Sequence, residues 1–280
     1  MKLGVLKDKS LAAVKGNNFL RISDKGITSS MLDVIKAGDS QLKKISELME
    51  NYNDYEEVDI SLFDAPLKNP SKIIAIGLNY SDHAKEARLE IPKTPLVFAK
   101  FPNSITGPAD TIYIPRDLTQ KVDYEVELGI VIGKKAKNVK KKDALNYVYG
   151  YMVLNDISAR DLQFSDGQWV RAKSLDTFCP MGPFIITADE IKDPQNLKLV
   201  CEVNGQNMQD SSTSNMIFGA ADLVSILSHA FTLEPGDIIA TGTPGGVGFS
   251  RRPPIYLKDG DIIKTRIEGI GELVNPVKEI

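Results

Sequence analysis

The stretch VDYEVELGIVIG, residues 122–133, determines much of what the sequence predicts. Polar and apolar side chains alternate along its first half, and successive side chains of a β-strand point to opposite faces. One face would therefore carry only apolar and aromatic residues, while the other carries Asp123, Glu125 and Glu127. We predict a strand that gathers three carboxylates on one face.

Two interpretations of this acidic face are open. Neighbouring carboxylates raise each other's pKa unless solvent, a cation or a positive side chain compensates them. Alternation alone favours a half-exposed antiparallel strand with a wet acidic face. The other interpretation is a hard divalent cation, Mg²⁺ or Mn²⁺, which prefers carboxylate oxygens and leaves positions open for a substrate.

Asp156 is a candidate third ligand because it ends the apolar strand in GYMVLND. An isolated Asp at the end of a strand is more commonly a turn or cap residue, so the residue taken alone does not decide between the two.

Composition limits the possible functions. The chain has 280 residues, of which 42% are hydrophobic and 25% charged, as in a folded protein with a substantial core. A net charge of -3 gives no general attraction to nucleic acid or anionic lipid. Lysines interrupt the apolar patches of MKLGVLKDKSLAAVKG, and no later stretch is long enough to span a membrane. We expect a cytoplasmic protein with no nucleic-acid or membrane partner.

Only two cysteines and two histidines occur in the sequence. Cys179 and Cys201 lie far apart in apolar surroundings and form no C-x-x-C pair, so we expect buried free thiols. A histidine-rich metal site is also disfavoured, and any metal should be held mainly by oxygen.

Two domains are predicted. Residues 1–68 contain short strands at 2–6 and 19–23 and an amphipathic helix in SQLKKISELMENY, which indicates a small N-terminal accessory domain. In residues 69–280 strand-like segments dominate, and we expect them to pair in antiparallel fashion. The turn signals are VNGQ, typical of a tight hairpin, and the glycines of EPGD and KDGD. Helices are expected only near 81–88, 142–147 and 219–231, so the fold class is α+β, mostly β.

A possible general base lies in GLNYSDHAKE, residues 77–86. His83 and Glu86 would be neighbours at positions i and i+3 of a short helix. A carboxylate beside one imidazole nitrogen orients the ring and raises its basicity, so that the other nitrogen can accept a proton. An incidental surface pair is the simpler alternative. His229 falls on the polar side of its predicted helix and is interpreted as structural.

Two further segments could contact an anion. Lys173 is flanked by residues that look buried, and a buried lysine needs a carboxylate or an anionic ligand beside it. A pairing with Asp176, or a position at the surface, is the simpler alternative. The loop ATGTPGGVG, residues 240–248, could bind a carboxylate through backbone N–H groups and the Thr243 hydroxyl, or it could be a tight turn that needs glycine. It matches neither a P-loop nor a dinucleotide-binding motif.

Six motifs, in their order and spacing, resemble the fumarylacetoacetate hydrolase superfamily: IGLNYSDHAKE, DYEVELGIVIG, GYMVLNDISARDLQ, AKSLDTFCPMGP, VNGQNMQDSSTSNMIF and GDIIATGTPGGVG. The resemblance covers roughly residues 70–278 and is weaker before residue 65. The subgroup it points to contains acylpyruvate and diketo-sugar-acid hydrolases. It implies a mixed β-roll catalytic domain, a small N-terminal α/β domain and a homodimer.

The resemblance also implies roles for individual residues. Mg²⁺ or Mn²⁺ would be held by Glu125, Glu127 and Asp156, and Asp123 would stay outside the ligand set. His83 and Glu86 would activate water, with Glu86 on a lid segment. The substrate would be contacted or supported by Lys173, Arg160, Gln163, Gly242 and Thr243.

The implied activity is metal-dependent hydrolysis of a C–C bond in a 2,4-dioxo acid, with release of pyruvate. Acylpyruvates, fumarylpyruvate and 2,4-diketo-3-deoxy sugar acids are the substrate candidates. The same site could serve an oxaloacetate decarboxylase or a keto–enol tautomerase or isomerase. A non-catalytic sugar-acid binding protein that keeps the metal is a further alternative.

Overall fold

The computed structural model describes residues 1–27, 30–87 and 90–280. Nineteen strands and six α-helices make up the regular structure of these residues, so the predicted class, α+β and mostly β, is confirmed. The helices are α1 (Met31–Ala37), α2 (Asp39–Asn51), α3 (Ser81–Ala87), α4 (Arg160–Ser165), α5 (Val170–Lys173) and α6 (Ala220–Ala230).

The strands fall into an N-terminal, a central and a C-terminal group. The first are β1 (Lys2–Leu6), β2 (Leu11–Lys15), β3 (Asn18–Arg21), β4 (Glu56–Glu57) and β5 (Phe63–Asp64). The next are β6 (Ile73–Gly77), β7 (Leu96–Lys100), β8 (Ile105–Thr106), β9 (Ile112–Ile114), β10 (Val122–Asp123), β11 (Val126–Ile132) and β12 (Val148–Asn155). The last are β13 (Ser158–Ala159), β14 (Cys179–Thr187), β15 (Lys198–Val203), β16 (Gln206–Ser212), β17 (Ile238–Ala240), β18 (Ile262–Ile267) and β19 (Gly271–Glu279).

Short 3₁₀ helices connect these elements. Within the described residues they are Ser23–Lys25, Ile60–Leu62, Pro102–Ser104, Lys141–Tyr147, Ala188–Glu190, Thr213–Asn215 and Gly248–Ser250. The helix expected near 142–147 is thus 3₁₀ rather than α. The helices expected near 81–88 and 219–231 are found as α3 and α6, although residue 88 lies outside the described residues.

A twelve-stranded sheet forms the frame of the molecule. Its main path is β4-β3-β2-β1-β14-β12-β11-β17-β6-β7, with β5 joined to β1 and β8 joined to β14. A five-stranded sheet in the order β16-β15-β18-β19-β9 and the small pair β10-β13 complete the β structure. Most pairs are antiparallel as expected, but β17–β6, β14–β8 and β19–β9 are parallel.

The N-terminal region continues the large sheet. β1 pairs with β14 in antiparallel register, with Leu3 opposite Ile185, and β2 and β3 extend the sheet outward. The expected strands at 2–6 and 19–23 and the helix at 40–52 correspond to β1, β3 and α2, whereas β2 and α1 were not anticipated. The domain boundary at residue 68 stays a prediction.

The centre of the large sheet is buried on both of its faces. All seven residues of β11 and all eight of β12 are buried, because core side chains pack against both sides of these strands. A half-exposed strand with a wet acidic face is therefore wrong for residues 122–132. The carboxylates of this stretch lie inside the protein.

The predicted turns are confirmed. β15 and β16 form a hairpin through Asn204 and Gly205, which both have positive φ, at 51° and 75°. Gly236 and Gly260 in the other two turns also have positive φ. Cys179 and Cys201 are buried and free, as expected.

Close packing between β12 and β14 gives a test of this frame. A Cβ added at Gly150 would lie 2.2 Å from the Ile186 carbonyl oxygen, so Gly150→Ala must displace backbone. We expect this variant to lose about 1–3 kcal/mol of unfolding free energy, the usual cost of overpacking. Urea denaturation measures the loss.

Gly129→Ala on β11 is the matched control. Its added Cβ would meet the flexible Met152 side chain first, at 3.0 Å, so a smaller loss is expected. Equal losses for the two variants would contradict the account.

Candidate active site

Three buried carboxylates meet where β11 begins and β12 ends. The two strands are antiparallel with Val126 opposite Asn155, so the register places Glu125 and Glu127 beside Asp156. One carboxylate oxygen of each lies within 4.8 Å of the other two. The structure thus brings together the three residues predicted as metal ligands.

The chain leaves regular β structure just before this cluster. β10 ends at Asp123 and β11 starts at Val126, so the backbone N–H groups at and next to this break need other partners. The Glu125 N–H donates to the Asn155 side-chain oxygen over 2.9 Å, and the Val126 N–H donates to Gln209 over 3.0 Å. These amide side chains replace sheet partners and hold Glu125 at the wall of a cavity.

Three buried cations contact the carboxylates. The Lys173 Nζ lies 2.7 Å from both Glu125 Oε2 and Asp156 Oδ2. The Lys100 Nζ lies 2.7 Å from the other Asp156 oxygen, and Arg160 Nη2 lies 2.6 Å from Glu125 Oε1. Lys100 was not anticipated, because a lysine that ends an apolar strand usually reaches solvent and its sequence gives no other signal.

The two glutamates respond oppositely to this environment. Burial would raise the pKa of Glu125, but the charges of Lys173 and Arg160 outweigh it and lower the pKa to about 2. Burial and the negative charges of Asp156 and Glu125 raise the pKa of Glu127 well above its ordinary value. The cations therefore compensate Glu125 but leave Glu127 without enough positive charge.

This imbalance fits a divalent cation. Asp123 and the three clustered residues are four buried acidic groups, whereas Lys100, Lys173 and Arg160 are only three buried basic ones. The oxygen-only donor set suits Mg²⁺ or Mn²⁺ better than a metal that prefers sulfur or imidazole.

A cavity of about 440 Å³ opens beside the carboxylates. It is lined by polar and charged residues together with an aromatic and apolar wall. The polar group is His83, Glu86, Glu125, Arg160, Gln163, Lys173, Thr243, Ser250 and Arg252, and the wall is Ile76, Gly77, Leu78, Phe98, Phe164, Trp169 and Phe249. Every predicted catalytic residue is in the lining, whereas Glu127, Asp156 and Gly242 are not part of it. The aromatic wall was not anticipated.

His83 and Glu86 are brought together on α3. The His83 Nδ1 lies 3.7 Å from Glu86 Oε2, which is longer than a hydrogen bond. The same Glu86 oxygen accepts a hydrogen bond from the Gly246 N–H over 2.9 Å. The neighbouring His83 ring and this N–H lower the pKa of Glu86 against the effect of its partial burial. Glu86 thus links the histidine to the glycine-rich loop.

In the glycine-rich loop, the two groups predicted to donate to a substrate carboxylate already donate to other residues of the protein. The Gly242 N–H donates to Glu127 Oε2 over 2.9 Å, and the Thr243 hydroxyl donates to the Val126 carbonyl over 2.9 Å. Their role in holding a substrate carboxylate stays a prediction.

Gln163, unlike Gly242 and Thr243, keeps a side-chain donor available for a ligand. Its side-chain oxygen accepts from Arg160 Nη1 over 2.8 Å, and its NH₂ group makes no hydrogen bond within the described residues. It is therefore free to contact a ligand in the cavity. His229 is outside the lining, and its Nδ1 lies 2.8 Å from the Ser225 carbonyl oxygen on α6.

The family profile described as "Fumarylacetoacetate (FAA) hydrolase C-terminal" matches residues 72–278. The chain belongs to the fumarylacetoacetate hydrolase family. The family resemblance of the six motifs is thereby confirmed. Members of this family are enzymes, and this chain combines the family's sequence with a charged cavity suited to catalysis.

Relatives within the fumarylacetoacetate hydrolase family are named for different activities. The chain is 45% identical to the mitochondrial oxaloacetate tautomerase fahd2 of Xenopus laevis over 267 residues, which cover 94% of this chain and 83% of the relative. A fumarylacetoacetate hydrolase from Exiguobacterium antarcticum is 36% identical with a TM-score of 0.85, and all of both chains is covered.

The structure of a second solved relative contains a bound metal ion. The maleylpyruvate hydrolase of Sphingobium sp. SYK-6, in complex with manganese(II) and pyruvate, is 30% identical with a TM-score of 0.85, covering 100% of this chain and 99% of that one.

In the part of our chain that is described, no helix combines the length and the apolar character needed to cross a membrane.

Removal of one carboxylate tests the candidate metal site. We expect Glu127→Gln to weaken Mn²⁺ binding by about 100-fold or more, since even indirect support of a ligand commonly accounts for 10- to 100-fold in affinity. Electron paramagnetic resonance of free Mn²⁺ gives the dissociation constant. The exposed Glu268→Gln is the control and should bind Mn²⁺ as wild type does; equal binding by both variants would exclude Glu127 as a ligand.

Proposed function

We propose that this chain is a divalent-cation-dependent tautomerase that interconverts the keto and enol forms of oxaloacetate. The observation that carries the proposal is one cavity in which His83 and Lys173 accompany the buried carboxylate cluster. The 45% identity to a protein named as an oxaloacetate tautomerase supports the choice of substrate.

Tautomerisation moves one proton and breaks no C–C bond. His83, with Glu86 beside it, would take a proton from C3 of the keto form, and the 2-oxo oxygen would receive a proton to complete the enol. Lys173 would stabilise the enolate charge that develops in between. Mg²⁺ or Mn²⁺, held by Glu125, Glu127 and Asp156, would supply further positive charge as a Lewis acid.

The remaining polar residues would orient the substrate. The free NH₂ group of Gln163 can donate to a carboxylate or carbonyl oxygen, and Arg160 fixes the Gln163 side chain. Thr243 lines the cavity, and its loop with Gly242 would bind the carboxylate next to the 2-oxo group by exchanging the hydrogen bonds to Val126 and Glu127 for bonds to the substrate. Phe249 and Trp169 would limit the access of water to the reacting carbon.

Hydrolysis of a 2,4-dioxo acid is the second candidate. The pairing of His83 with Glu86 suits activation of water, and the maleylpyruvate hydrolase of Sphingobium supports this use of the site. His83 would deprotonate a water that attacks the 4-oxo carbon. The C3–C4 bond then breaks, its electrons form pyruvate enolate, and the acyl group leaves as a carboxylate.

A substrate panel separates the two candidates. Oxaloacetate, acetylpyruvate, fumarylpyruvate and a 2,4-diketo-3-deoxy sugar acid are tested with Mg²⁺, with Mn²⁺ and with EDTA. We expect the protein with Mg²⁺ or Mn²⁺ to accelerate enol–keto exchange of oxaloacetate. The loss of enol absorbance measures this rate. Cleavage of a dioxo acid without such acceleration would favour the hydrolase, and pyruvate formed only from oxaloacetate would indicate a decarboxylase. Metal binding with no turnover would indicate a binding protein.

Two substitutions test the assigned roles. We expect His83→Asn to slow oxaloacetate tautomerisation by about 10²- to 10⁴-fold, the usual contribution of a general base. Lys173→Met should reduce both tautomerisation and any dioxo-acid cleavage, because both pass through an enolate. Stopped-flow absorbance measures the rates, and the exposed Lys135→Met serves as control. An unchanged rate for His83→Asn would remove His83 from the mechanism.

The working form is proposed to be a cytoplasmic homodimer. Large apolar side chains at the surface support an interface, including Val97 and Phe101, which are 43% and 55% exposed. Light scattering after gel filtration measures the mass, and a monomer at micromolar concentration would contradict the dimer. Cell fractionation tests the location, with mitochondrial retention as the contrary result.

A further inference from the structure

Asp123 is fully buried but lies outside the cluster proposed to hold the metal. Its Oδ1 accepts hydrogen bonds from the N–H groups of Tyr124 and Gly248, over 2.9 Å and 2.7 Å. Its Oδ2 accepts from Arg160 Nε over 2.9 Å and from the Phe249 N–H over 3.1 Å. Both oxygens are thus engaged, so the residue connects elements rather than offering a ligand atom.

The bond to Arg160 fixes more than one side chain. The guanidinium group is planar, so holding Nε sets the directions of the other two nitrogens. Nη2 then contacts Glu125 Oε1 over 2.6 Å, and Nη1 donates to Gln163 Oε1 over 2.8 Å. The position of the Gln163 NH₂ group in the cavity therefore depends on Asp123 through Arg160.

The bonds to residues 248 and 249 fix part of the aromatic wall. The Arg160 guanidinium carbon lies 4.4 Å from the centroid of the Phe249 ring. That ring meets His83 edge-on with a centroid separation of 6.2 Å. An added Cβ at Gly248 would lie 2.7 Å from Asp123 Oδ1 and 1.9 Å from the Ile255 carbonyl oxygen, so only glycine allows this approach.

We propose that Asp123 is a positioning residue for 2-oxo acid binding. Through Arg160 it aligns Gln163 with the ligand, and through the backbone at 248–249 it keeps Phe249 against His83. The inference rests on the proposed function only for the class of ligand, a 2-oxo acid. It assigns to Asp123 a role in substrate affinity and none in holding the metal.

Asp123→Asn tests this role because it keeps the shape of the side chain and removes its charge. We expect the dissociation constant for pyruvate to rise about tenfold, as for a lost charge-assisted hydrogen bond of about 1.4 kcal/mol. The KM for oxaloacetate should rise in parallel. The Mn²⁺ affinity should fall by less than the pyruvate affinity, because Asp123 reaches the proposed ligand Glu125 only through Arg160.

Pyruvate binding can be measured without turnover. Trp169 is the single tryptophan of the sequence and lines the cavity, so its fluorescence reports ligand entry into the Mn²⁺-loaded protein. Asp161→Asn is the matched control, since Asp161 contacts Thr119 and Gln120 away from the cavity lining. It should leave pyruvate affinity unchanged.

A double-mutant cycle with Arg160→Lys shows whether Asp123 acts through Arg160. Lysine keeps the charge but loses the planar fork, so Arg160→Lys alone should also weaken pyruvate binding. Adding Asp123→Asn to it should then cost much less than in wild type. If Asp123→Asn does not fold, Arg160→Lys must still weaken pyruvate binding by a larger factor than it weakens Mn²⁺ binding.

Three outcomes with the variants would overturn the inference. They are unchanged pyruvate affinity in Asp123→Asn, an equal loss of Mn²⁺ affinity, and additive effects in the cycle. A wild-type protein that shows no fluorescence response to pyruvate would overturn it as well. If wild type binds pyruvate but does not tautomerise oxaloacetate, the proposed function fails while the role of Asp123 remains supported.

Discussion

The structure depends on burying four carboxylates against only three cations. Each buried charge is expensive unless it is paired, and removal of one partner leaves the other uncompensated. Lys173 meets two carboxylates at once, and Lys100 supports it from behind through the Lys173 carbonyl oxygen and Asp156. Burial and the neighbouring Asp156 and Glu125 raise the pKa of Glu127, and a divalent cation held by the cluster would stabilise the ionised form of this carboxylate.

The sheet provides the rigid frame that this arrangement requires. Because β11 and β12 are buried on both faces, their ends cannot relax toward water, and the carboxylates stay desolvated. Asn155 and Gln209 accept hydrogen bonds from the backbone N–H groups of Glu125 and Val126 where the ladder is interrupted. Rigid strands and a local break together place the charged side chains at the cavity.

The sequence predicted the site better than its surroundings. Alternation placed Glu125 and Glu127 together, and the resemblance to the family added His83, Lys173 and Asp156. Alternation alone misjudged the burial of the strand, since an acidic face usually indicates solvent. The three cations that contact the carboxylates are distant in sequence and meet them only after folding. Lys100 and the partners of Asp123 had no local signal, because they depend on long-range register. The alanine-rich β2 was missed for lack of large β-branched residues.

The pairing of β1 with β14 covers one side of β14 and so limits which sequence changes the N-terminal segment tolerates. β14 is the neighbour of β12, whose end leads to Asp156, and without β1 its outer side would be an open row of unpaired backbone groups. Such an edge invites pairing between molecules. The N-terminal segment can therefore diverge widely in side chains, but some strand must occupy that position to keep the enzyme from associating through an exposed edge.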